Sequence, residues 1–156
     1  MRNGLRVAVV CLALVGSGCH KTATVGTTAA PVPVVVRVAQ YNQIISTANQ
    51  NAATVVASLV QAGVITTAQG QAVAQYQAAI AKATTGIAGI LQAPGPWTDK
   101  AVQIQNLALS LVPPSGYRTF GAQTDLQWQG LIAALDGIES TVKIMVQMAQ
   151  ASPAGN

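Results

Sequence analysis

Residues 45–90 read ISTANQNAATVVASLVQAGVITTAQGQAVAQYQAAIAKATTGIAGI. Ile45, Ala48, Ala52, Val55, Leu59 and Ala62 recur at alternating steps of three and four, which is one stripe of an amphipathic helix. Val56 and Val60 widen the stripe, and Asn49, Gln50, Asn51 and Thr54 fall on the other faces. Val73, Tyr76, Ile80, Ala83, Ile87 and Ile90 repeat the same spacing further on. Between the two stripes, Gly63 suits the left-handed position after a helix C-cap, with Val64 folding back on Leu59 in a Schellman ending. Thr66 and Gln69 then fit the S/T-x-x-E/Q capping box that opens a helix. A loop as short as Gly63–Ile65 predicts antiparallel neighbours, hence an αα-hairpin.

Downstream, Ala93-Pro94-Gly95-Pro96 stops the second helix, since neither proline can donate a helical hydrogen bond. Gly86 and Gly89 weaken its last turns or admit another helix closely. Thr98 as N-cap, with Asp99 in the first turn, predicts a short third helix carrying Ile104, Leu107, Ala108 and Leu111. Pro113-Pro114-Ser115-Gly116 ends it. A last helix is predicted from about Gln123 to Gln150, with Trp128, Leu131, Leu135, Ile138, Val142, Met145 and Ala149 as its stripe. The fold class that follows is all-α: a small up-and-down bundle of three long helices and one short, over residues 35–150. Residues 151–156 are expected to be a disordered C-terminus.

Upstream of the bundle, HKTATVGTTAAPVPV (residues 20–34) has no period that would bury a face, so residues 19–34 are expected to be a flexible tether. Before it stands MRNGLRVAVVCLALVGSGC (residues 1–19). Arg2 and Arg6 precede an apolar run, Val7–Val15, which is too short to span a bilayer and is followed by Gly16, Ser17, Gly18 and Cys19. This is the order of a secretory signal, residues 1–18. Its ending resembles the lipobox of bacterial lipoproteins, although Val15 stands one place further from the cysteine than the usual branched residue. The resemblance covers residues 1–19 only. It implies that Cys19 is lipidated with a diacylglycerol and usually a third, palmitate-like acyl chain, becoming the mature N-terminus. It also implies attachment to a membrane through that lipid, in the cell envelope. His20 and Lys21 in place of an acidic residue point to an outer membrane, facing the periplasm, if the host has one. A non-lipidated signal cut nearby, or an uncleaved anchor, are the alternatives. Cys11 lies inside the apolar run as an ordinary hydrophobic residue, so the mature body holds no thiol for a disulfide.

Charged residues are only 8% of the chain, against about 25% in an ordinary soluble domain. The formal charge of +4 falls to +2 without Arg2 and Arg6. The remaining cations make no patch, which argues against nucleic acid as a partner. The candidate chemistry is sparse. His20, the single histidine, sits beside Cys19 in the tether, and two adjacent residues cannot build a closed metal site. Asp136 and Glu139 share a helix face, an arrangement open to acid/base pairing, but Lys143, four residues beyond Glu139, favours a solvated surface ion pair. Trp97 and Trp128 with Tyr41, Tyr76 and Tyr117 either line a ligand groove or serve packing, Trp128 in the core and Trp97 over one end. No catalytic, metal or cofactor-binding residue is expected, and no cofactor. The expected function is binding or structural association at the envelope, with a protein partner or self-association through helix faces. The alternative is a membrane-active, phage- or plasmid-type envelope effector.

Overall fold

The computed structural model describes residues 32–121 and 123–152. The expected signal segment, Cys19, His20 and the expected tether up to residue 31 lie outside the described residues, as do residues 153–156. Among the described residues four helices follow one another: α1 (Val34–Gln61), α2 (Thr67–Gln92), α3 (Trp97–Leu109) and α4 (Leu126–Ala151). A single 3-10 turn, Tyr117–Thr119, interrupts the connection from α3 to α4. Helix α1 packs against α2 and α4, and α3 closes the ring against the same two. The all-α bundle expected from the stripes is the fold.

The hairpin forms as its sequence dictates. Gly63 takes φ of 71°. Its N–H donates to the Val60 carbonyl at 3.1 Å, and the Val64 N–H donates to Leu59 at 3.0 Å, the two bonds of a Schellman ending. The Thr66 hydroxyl accepts from the Gln69 N–H at 3.2 Å while the Gln69 side chain accepts from the Thr66 N–H at 2.8 Å, so the capping box is reciprocal. Ile45, Ala52, Val56 and Leu59 from α1 and Val73, Tyr76, Ile80, Ala83 and Ile87 from α2 are buried. Six of the seven expected α4 residues are buried, and Val142 is half-buried.

One asparagine corrects the α1 expectation. Asn49 is buried at 4% exposure rather than on an outer face, and Asn42 is buried with it. The side-chain N–H₂ of Asn49 donates to the Gln77 carbonyl at 2.8 Å, and that of Asn42 to the Thr84 carbonyl at 2.9 Å. The partners are 42 and 28 residues apart, and both pairs are centred on Gly63. Val56 and Gly70 are the next pair about that centre. At Gly70 a Cβ would run into Val60 and come within 3.8 Å of Val56 and Ile65, so only glycine lets the helices approach so closely there. Ala62, expected on the stripe, is exposed at the C-cap of α1, where the helix ends and the turn begins.

The remaining helix ends also differ from expectation. Helix α3 begins at Trp97, after Pro96, and Thr98 lies inside it. The Trp97 ring is buried and its indole N–H donates to the Ala149 carbonyl at 3.0 Å, which draws the first turn of α3 onto the last turns of α4. Helix α4 begins at Leu126 rather than near Gln123, because the Asp125 carboxylate caps it by accepting from the Trp128 N–H at 2.8 Å. At its other end the helix includes Ala151.

Two substitutions test this account. Gly63→Ala has open space for its methyl, so it is expected to cost only the left-handed backbone, about 1 kcal/mol in urea unfolding. Asn49→Asp loses the donor and buries an uncompensated charge, and is expected to cost about 3 kcal/mol or more at neutral pH. Asn49→Leu, which removes polarity and keeps bulk, is expected to hold the urea midpoint within about 1 kcal/mol of the parent.

Candidate functional site

Helix α3 has 13 residues against 26 in α2 and α4, so at ~1.5 Å per residue it covers about half the length of its neighbours. The connection from Ser110 to Asp125 therefore lies against the bundle beyond α3, and it carries a polar cluster. Tyr117 is buried at 2% exposure, with its hydroxyl 2.7 Å from Asp136 Oδ1 and 2.9 Å from Glu139 Oε1. A phenol has one proton, so the two carboxylates share it. Arg118 supplies the opposite charge, with Nη2 2.7 Å from Asp136 Oδ1 and 3.5 Å from Glu139 Oε2. Its guanidinium carbon also lies 4.9 Å from the centre of the Tyr117 ring.

The electrostatics follow from the contacts. The hydrogen bond from Arg118, and then that from Tyr117, hold the Asp136 carboxyl below its ordinary 3.8. Burial, and then the two carboxylates it serves, push the Tyr117 phenol well above 10.0. Burial and the nearby Glu139 push Tyr76 up to about 12. General acid–base catalysis needs a pKa near the working pH, and these shifts run away from it. The arrangement fastens the α3–α4 connection to α4.

The expected Glu139–Lys143 surface pair is not what forms. Glu139 turns to Tyr117 and Arg118, which offer it a buried hydroxyl and a cation held in place by the same 3-10 turn. Asp136 and Glu139 do share a face, as their spacing requires. Tyr117 and Arg118 were not legible as their partners, since nothing in the spacing of residues 117 and 136 brings them together. Among the described residues no three His, Cys, Asp or Glu side chains converge as for a metal ion.

Beside the cluster, a groove of about 490 Å³ runs between α3 and α4. Ala108, Leu109 and Leu111 form one wall and Val142 and Val146 the other, while Tyr76, Glu139 and Lys143 supply polar groups. Leu109 is 70% exposed there. Of the aromatic residues offered by the sequence, Trp97 and Trp128 serve packing, and Tyr76 alone lines this groove. Compared with protein-family models, curated proteins and solved structures, the chain matches none.

Tyr117→Phe keeps the ring and removes both hydrogen bonds, and is expected to cost about 1–3 kcal/mol near pH 7. The Asp136 contribution is complete above pH 3.8 and fades as pH falls through the lower, folded value. The Tyr117 contribution is complete below pH 10.0 and is lost as pH rises toward its raised value. Urea midpoints of parent and variant should therefore differ most between these limits and converge outside them.

Proposed function

We propose that this chain is a lipid-anchored protein of the bacterial cell envelope that acts by binding, with its helical bundle held near the membrane by acyl chains on Cys19. The observation that carries the reading is the run of residues 1–19, a short cationic start, nine apolar residues and small residues leading into Cys19. Among the described residues no helix is long and apolar enough to cross a membrane. In this reading the lipid supplies the attachment. Each buried CH₂ contributes about 0.8 kcal/mol, so two or three chains hold where one would exchange.

The body supports a binding role in two ways. Its helix faces are covered by Gln, Asn, Thr and Ala with few charges, a surface that approaches other neutral surfaces at little electrostatic cost. It also carries an open, largely apolar groove. The titratable cluster beside that groove is committed to holding the chain together, so the proposed activity is recognition without chemical change.

Intact mass of the protein purified from bacterial membranes tests the anchor. The expected species begins at Cys19 and carries diacylglycerol, with or without an amide-linked acyl chain, and Cys19→Ala abolishes it and releases the protein from the membrane fraction. An unmodified N-terminus away from Cys19 would overturn the reading.

A further inference from the structure

The groove between α3 and α4 has more built into it than an apolar face. The Tyr76 side chain forms part of its lining while the residue is only 4% exposed. Unlike the Tyr117 hydroxyl, that of Tyr76 has no hydrogen-bond partner among the described residues. Glu139 lines the same groove, and its Oε2 has only a 3.5 Å contact with Arg118, a weak use of a carboxylate oxygen. Lys143, one turn along α4, brings an ammonium to the same lining. We propose that this groove binds a small neutral amphiphile, an apolar chain or ring ending in a hydroxyl or carboxamide.

The charges select the head group. A carboxylate head would gain Lys143 and meet Glu139, while an ammonium head would gain Glu139 and meet Lys143. A hydroxyl or amide carries a donor and an acceptor together. It donates to Glu139 Oε2 and accepts from the Tyr76 hydroxyl or from Lys143, with no like charge opposed. Burial keeps the Tyr76 phenol protonated at any physiological pH, so its proton is available to the ligand. The body of the ligand lies between Leu109 and Leu111 on one side and Val142 and Val146 on the other, covering apolar surface that water now meets.

The inference rests on the binding half of the proposed function and is independent of Cys19. Acylation is read by mass and ligand binding by methyl NMR, so the two fail separately. The experiment uses the full chain as purified, acylated or not, in lipid nanodiscs, with labelled Leu and Val methyls, titrated with hexanamide, hexanoate and hexylammonium. Hexanamide is expected to give saturable shifts at Leu109, Leu111, Val142 and Val146, and the two ions to bind about tenfold more weakly. Lys143→Gln alters an exposed side chain and should bring hexylammonium level with hexanamide. Tyr76→Phe keeps the ring and should weaken hexanamide by about tenfold. Equal binding of all three probes, shifts spread over the whole protein, or no saturable shift would each overturn the proposal. So would groove shifts that track protein concentration without any probe, which would make a second copy the occupant.

Discussion

Two buried amides set the geometry on which the rest of the bundle depends. Asn42 and Asn49 each reach across the α1–α2 seam to a backbone carbonyl, and both bonds are centred on Gly63. Seven residues separate successive rungs on either helix, so Asn42, Asn49 and Val56 meet Thr84, Gln77 and Gly70 in order. Each bond adds little net stability, on the order of 1 kcal/mol, because water would satisfy the same amide in the unfolded chain. Sliding α2 by a turn would bury the amides without partners, which costs about 1–3 kcal/mol apiece. The asparagines therefore discriminate among registers more than they stabilise one. The price is visible in Oδ1 of both asparagines, which stay buried without a partner.

With that register set, α1 presents its second apolar flank to α4, and α3 completes the ring from the other side. Helix α3 is too short to cover the α2–α4 face by itself. The connection after it takes over, and Tyr117 supplies what the missing helical turns would have supplied: a large ring in the core. The hydroxyl of a buried tyrosine usually takes a hydrogen-bond partner. Asp136 and Glu139 provide it, and Arg118 offsets the charge of two carboxylates one turn apart. A chain with only four acidic residues thus spends two of them on one fastening. A half-length helix also leaves the groove where it ends, so the feature that weakens coverage creates the concave surface.

Much of this architecture is legible along the chain, and the failures have a common cause. The stripes of α2 and α4, the Schellman glycine and the capping box all rest on residues within a turn or two of one another, where the 3.6-residue period and local backbone bonds decide the outcome. Asn49 reads as an outer-face residue because a polar side chain on a seam looks like one on a surface until the facing carbonyl is known. Thr98 is a good cap by type, yet α3 already starts at Trp97, whose indole bonds to the Ala149 carbonyl 52 residues away. Glu139 and Lys143 had favourable spacing, yet a buried hydroxyl and an arginine from the connection held Glu139 more firmly than an exposed ammonium does.

The sequence by itself determined the helices, their order and the direction of the hairpin. These depend on short-range periodicity and on the chemistry of neighbouring residues. Tertiary structure alone decided the register of α1 on α2, the fastening of the α3–α4 connection and the existence of a groove beside it. Each of these requires groups far apart in the chain to meet, and a hydrogen bond between distant residues leaves no spacing in the sequence by which to read it.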